Sequence, residues 1–168
     1  NSRPYFEVLY QTIHEIADAN RDFSSPYFED RKNGKWLYVV IAGDRGLAGG
    51  YNSNVLKLSL SAMESKDHFV LPIGKKAVDW FRGRKVTMLT EEHALAADVS
   101  LGDCFSIAKT LCKAYLAGQI DAIHVAYTNF VSVLSQVPEL RELLPLTPKA
   151  GDQRPKGTEI LYEPDSEA

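Results

Sequence analysis

Cysteine is scarce in this chain of 168 residues: there are two, Cys104 and Cys112. Eight positions apart on one helix, they would sit about 12 Å apart along the axis. A disulfide spans at most roughly 7 Å between Cα atoms, so the two cannot pair if that segment is helical. No zinc-type spacing accompanies them, and they read as buried thiols of a reducing compartment. Long apolar runs are missing as well. None approaches the ~20 residues needed to cross a bilayer, and the opening residues carry no secretory pattern. A basic surplus is also missing. The net charge is −3, which argues against a general nucleic-acid binder. What remains is 45% hydrophobic and 24% charged, ordinary for one globular domain with a short appendage.

Catalytic groupings are thin too. There is no nucleophile–base pair at a telling spacing and no metal-ligand cluster, so no catalytic, metal or cofactor residues are assigned. His14, His68 and His93 fall at polar positions. His124 has apolar neighbours on a strand and reads as a core or interface residue rather than a ligand.

The periodicity describes an α/β protein. Pro4 to Asn20 is helical, with Pro4 suited to the first turn. Phe6, Leu9, Ile13 and Ile16 are spaced three, four, three, an a/d seam narrower than a core helix needs, so its partner is expected outside the segment. Leu37 to Ala42 is a nearly continuous apolar strand, expected to be buried on both faces. Asn52 or Ser53 is placed to cap a helix running to about Ser65. Phe69 to Ile73 is a second strand, "GKKAVDWFRG" a short helix between glycines, and Val86 to Leu89 a third strand. Ser100 opens the clearest helix, with Asp103 placed for a capping box. Its apolar face is Leu101, Cys104, Phe105, Ala108, Leu111, Cys112, Tyr115 and Leu116, and Gly118 closes it. "DAIHVAYT" and "FVSVLSQV" read as one long bent strand ended by Pro138. Thr147 to Gly157 is loop-like. Thr158 to Glu163 reads as a last strand antiparallel to Phe130–Val137. Repeated βα units predict a mainly parallel, Rossmann-like sheet with helices on both faces and the last strand antiparallel.

One stretch, "IAGDRGLAGGYNSN", follows the first strand. It fails the G-x-x-x-x-G-K-[ST] phosphate loop, because Gly43 plus five is Ala48 and no Lys follows. It fails the G-x-G-x-x-G dinucleotide pattern too, because its spacing is three and three. Asp44 would also repel phosphate unless Arg45 neutralised it. A tight connection would account for one or two of its glycines. Four, with Asp, Arg, Tyr and Asn between them, ask for more.

"DRGLAGGYNSN" resembles the signature of the gamma subunit of F-type ATP synthases, S-D-R-G-L-C-G-G-x-N. "YLAGQIDAIHVAYTNFVSVLSQVPELRELLPL" is similar to the late segment of that family, and "ILYEPD" to its Y-E-P-D. Gly43 and Ala48 stand where Ser and Cys are usual. Ser65 to Ser100 carries no motif of the family.

The resemblance implies a central-stalk rotor subunit that makes and breaks no bonds. It couples proton-driven rotation to ATP synthesis or hydrolysis on other subunits, from a place peripheral to the membrane on its cytoplasmic face. Its implied partners are the alpha/beta catalytic ring, the epsilon subunit and the c-ring, without nucleic acid and without membrane insertion. Residues 1–20 would be the end of an N-terminal axle helix, 21–163 the globular domain, and 164–168 the start of a C-terminal helix that the cut ends leave out. That helix would cover the Phe6, Leu9, Ile13 and Ile16 seam. Asp44, Arg45, Gly46, Gly49, Gly50, Tyr51, Asn52 and Asn54 are the expected interface loop. Two alternatives stay open: Asp44 and Arg45 satisfy local backbone groups, and Asn52 and Asn54 cap a helix. Lys75 and Lys76 suit a solvated face or an anion, and Arg82, Arg84 and Lys85 suit docking to acidic loops. The rival function is a Rossmann-like nucleotide-binding domain using the Gly43–Gly50 loop.

Overall fold

The computed structural model describes residues 3–19, 25–31, 34–42, 49–63, 68–84, 86–89, 101–132 and 134–147. Helix α1 (Arg3–Ala19) leads through a 3-10 turn (Ser25–Phe28) into β1 (Trp36–Ile41). Then come α2 (Gly49–Met63), β2 (His68–Ile73), α3 (Lys75–Arg82), β3 (Thr87–Met88), α4 (Leu101–Leu116), β4 (Ala122–Ser132) and β5 (Ser135–Leu144). The sheet has five strands in the order β3-β2-β1-β4-β5. The first four run parallel, with Val39 opposite both Leu71 and Val125, and β5 runs antiparallel to β4.

The alternation of each strand sorts its side chains onto two faces. On one face Leu37, Val39, Leu71, Ile123, Val125 and Tyr127 meet α1, α4 and the 3-10 turn. On the other, Tyr38, Val40, Val70 and Ala126 meet Val55, Leu56 and Met63 of α2 and Ala77 and Phe81 of α3. Both faces of β1 are therefore covered, which is why its sequence is an unbroken apolar run. In α4, Cys104, Ile107, Ala108, Leu111, Cys112 and Tyr115 are buried at three- and four-residue spacing. This helix ends in a Schellman motif. Gly118 takes φ +77°, its N–H donates to the carbonyl of Tyr115 and the Gln119 N–H to that of Ala114, satisfying carbonyls the helix leaves unpaired.

Five expectations change. The long bent strand is a hairpin: β4 pairs antiparallel with β5, Thr128 opposite Pro138 and Ser132 opposite Ser135. Pro138 does not end the strand but lies inside it. It is tolerated because β5 is an edge among the described strands. Among the described residues the antiparallel partner of β4 is Ser135–Leu144; the expected strand Thr158–Glu163 lies outside them. Helix α2 begins at Gly49, so Asn52 and Ser53 sit within it and neither is its cap. In α4, Phe105 and Leu116 do not share the buried face; they are about half exposed, while Ile107 is buried.

The fifth change concerns α1. Phe6, Leu9 and Ile13 are buried in the main core, joined by Ala17, and Ile16 packs half-buried at its border. The seam is filled by this chain's own sheet and α4, not left for a helix outside it. Each such side chain contributes roughly 1.5–3 kcal/mol of burial, enough to fix the helix to the domain.

Candidate functional site

Where α1 meets the β4–β5 hairpin, an apolar stack is rimmed by a polar network. Phe6 stacks on Tyr127 of β4 and on Tyr10 one helical turn on, at centroid distances of 5.7 and 5.8 Å. The guanidinium of Arg141, on β5, lies 4.2 Å above the Phe6 ring and 3.5 Å from the Glu7 carboxylate. The Tyr127 hydroxyl donates to Glu139 Oε1 at 2.7 Å, and Asn129 Nδ2 donates to Glu139 Oε2 at 2.9 Å. Burial, followed by the bond to Glu139, raises the Tyr127 phenol above its ordinary value. The hydrogen bond to Tyr127 is the main reason Arg141 is held charged even more firmly than usual. Residues 127 and 139 are direct cross-strand partners, so the register of the hairpin brings the network together. The arrangement ties helix to hairpin: ring stacking fixes the distance, and the bonds around Glu139 fix the orientation.

A second tie holds α4 to the entry of β1. Arg31 stacks 3.9 Å over Tyr115, donates to the carbonyls of Tyr115 and Ile120 at 3.2 and 3.3 Å, and lies 3.6 Å from Asp121. A cation at a helix C-terminus is favoured by the dipole. Asp121 accepts from the Lys35 N–H at 2.9 Å and returns its own N–H to the Lys35 carbonyl at 2.7 Å. Gly34 sits so close that a Cβ there would collide with the Asp121 carboxylate.

The expected interface stretch follows β1 at the carboxyl end of the sheet. Asp44, Arg45 and Gly46 lie outside the described residues. Gly49, Gly50, Tyr51 and Asn52 form the first turn of α2, and Asn54 is exposed on that helix. Strand order reverses between β1, followed by this stretch, and β4. The hairpin runs past the last β1–β4 pair, Val40–Ala126. Near its tip Leu134 is 94% and Val131 63% exposed, and Val137 is partly so.

One histidine, His14, is placed differently from its sequence pattern. His14 is buried between the rings of Tyr10 and Phe28, not at a polar position. His124 is stacked on Trp36 at 4.6 Å and near Tyr38 at 5.8 Å, with Nδ1 buried and unbonded. Burial lowers its pKa to about 4. His93 is outside the described residues. Both cysteines are buried and neither forms a disulfide, and burial pushes the Cys112 thiol up to about 11. Among the described residues no group of three His, Cys, Asp or Glu is placed to hold a metal ion. None of the described helices is long and apolar enough to cross a membrane.

Sequence reasoning missed Tyr127, Asn129, Glu139 and Arg141. Their only sequence signal was alternation on the two sides of a reversal that no Gly, Asn or Asp marks.

Among known proteins, the family model described as ATP synthase matches residues 1–168. The ATP synthase gamma chain of Alkaliphilus metalliredigens is 33% identical over 172 residues, covering 99% of this chain and 60% of the relative. That of Pelotomaculum thermopropionicum is 31% identical over 170 residues, covering 100% and 60%. The chain thus spans 60% of the length of these curated relatives. Among solved structures, the central stalk and c-ring of Tetrahymena thermophila mitochondrial ATP synthase aligns with a TM-score of 0.51. It is 18% identical, with 86% of this chain and 72% of that chain covered, a likeness of fold.

Proposed function

Because the chain belongs to the ATP synthase gamma-chain family, we propose that it is part of a central-stalk rotor subunit, passing torque between a proton-driven c-ring and an alpha/beta catalytic ring. It makes and breaks no bonds; nucleotide chemistry occurs on other subunits. Its partners are the alpha/beta ring, the epsilon subunit and the c-ring, and it lies on the cytoplasmic face, peripheral to the membrane. One observation in this fold carries the reading. The stack of Phe6 on Tyr127 under Arg141 fastens α1 to the sheet, and a helix that transmits torque must not turn independently of its domain. Close-packed cores resist such strain.

Asp44, Arg45, Gly46, Gly49, Gly50, Tyr51, Asn52 and Asn54 serve as a subunit-contact segment. The test is affinity purification of the tagged full-length protein from its own cells. Alpha, beta, epsilon and c subunits should co-purify in fixed proportion and ATPase activity should follow the tag; their absence overturns the reading.

A second reading has one observation behind it. The Gly43–Gly50 stretch follows a strand at the point where strand order reverses, the place where open α/β sheets bind ligands. Fold position is its only support. Thermal melts with Mg-ATP, Mg-ADP, NAD(H) and phosphate decide it. Saturating ligand at about 100 times its Kd would add ~2.7 kcal/mol, and no shift with any of them retires it.

A further inference from the structure

The α2 and α3 side of the sheet differs in charge from the chain as a whole. The chain carries −3. Yet the exposed charges described on α2, α3 and the turn after α3 are Lys57, Lys75, Lys76, Arg82 and Arg84, against Asp79 alone. On α1 the balance is reversed: its described exposed charges are Glu7, Glu15 and Asp18. Helix α3 turns Ala77, Val78 and Phe81 inward, so its outer ridge is polar and faces solvent.

The ridge is partly ordered. Lys75 Nζ donates to Asp79 at 2.8 Å. That bond, together with the charges of Lys75, Arg82 and Lys76, holds the Asp79 carboxyl below the usual carboxylate range. Among the described residues of the ridge, one carboxylate stands among four cations. Arg84 lies 3.5 Å over the Trp80 ring and donates to the Trp80 carbonyl at 2.8 Å. A cation already held in place loses less freedom when it binds. Over α3, from residue 75 to 82, the chain advances roughly 10 Å at helical rise, the length of about three extended residues.

We propose that the outer ridge of α3 and the turn after it, from Lys75 to Arg84, is a docking surface for a short acidic polypeptide segment. The ridge is one helix wide, and screening over ~8 Å at physiological salt hides charge lying further away. A bilayer or duplex would extend past the ridge onto a chain that is negative overall, so its size works against it. A short acidic segment meets only the ridge.

The test is fluorescence anisotropy with a labelled peptide of about eight alternating Glu and Asp residues, at low and high salt. Phosphatidylglycerol vesicles and a DNA duplex are measured in parallel. The peptide should bind, and weaken as salt rises. Lys76→Glu with Arg84→Glu should weaken it about tenfold, while Lys109→Glu with Lys113→Glu on α4 leaves it unchanged. Where loss of the Trp80 stack unfolds the pair variant, Lys76→Glu alone should give a loss of about threefold. No peptide binding, equal loss from the α3 and α4 variants, or tighter binding to vesicles or DNA overturns the proposal. Co-purification of the ATP synthase subunits is read separately, so the ridge can fail while the rotor reading stands.

Discussion

Replacing Phe6 by Ala separates two accounts of α1. If the seam awaited a second helix, Phe6 would be solvated in this chain, and its loss would fall within about 0.5 kcal/mol, as for other surface substitutions. In the structure its ring is buried against Tyr127 and Tyr10 and covered by Arg141. Phe→Ala in such a core costs ~3–5 kcal/mol. Part of that is the lost aromatic pairing, worth roughly 0.5–1.5 kcal/mol. The better helix propensity of Ala returns about 0.5 kcal/mol. A net loss near ~3–4 kcal/mol remains, which lowers Tm by roughly 6–16 °C in a chain of this size. The measurement is a urea and thermal melt of the 168-residue chain followed by near-UV circular dichroism, with exposed Glu15→Ala as the control. A loss below about 1 kcal/mol for Phe6→Ala would refute the docked helix and the rotor argument resting on it.

Two further outcomes are expected. His124 has its folded-state pKa lowered from 6.5 to about 4 by burial, so the unfolded chain takes up the proton first. Stability is full above pH ~6.5 and falls as pH drops toward ~4. The ceiling is ~3.4 kcal/mol, and partial exposure reduces it to roughly 1–2 kcal/mol. His124→Phe should flatten that part of the pH–stability curve measured by urea melts; an unchanged slope refutes the cause. Gly34→Ala should destabilise by about 1–3 kcal/mol, because the new methyl displaces the Asp121 carboxylate from its bond with Lys35. A Tm equal to the parent's would show that the close approach is not needed.

The parts legible in the sequence were those where local and tertiary preferences agree. The unbroken apolar run of β1 announced a strand buried on both faces, and two glycines framed α3. The three- and four-residue spacing of Cys104, Ala108, Leu111, Cys112 and Tyr115 marked the inner face of α4. Illegible parts were those where the tertiary structure decides. Gly49 and Gly50 are poor helix formers, yet α2 starts there. Between Ser132 and Ser135 the chain reverses without a turn residue, so the hairpin, and with it the Tyr127–Glu139–Arg141 network, was hidden. The spacing of Phe6, Leu9 and Ile13 shows that a partner exists but not that it lies in the same chain. Of the interface stretch, the sequence offered the glycines and their neighbours, and the fold adds its position at the carboxyl end of the sheet.

The outer margin of β5 bears on how the chain survives before it meets a partner. Among the described strands β5 is the border of the sheet, and a border strand is in general a template on which other chains can stack. Pro138 interrupts that template because it has no N–H to offer. Glu139, Arg141 and Glu142 place charges on the same strand, a second device by which border strands resist stacking. A border that carries a proline and charges is a poor template for a further strand.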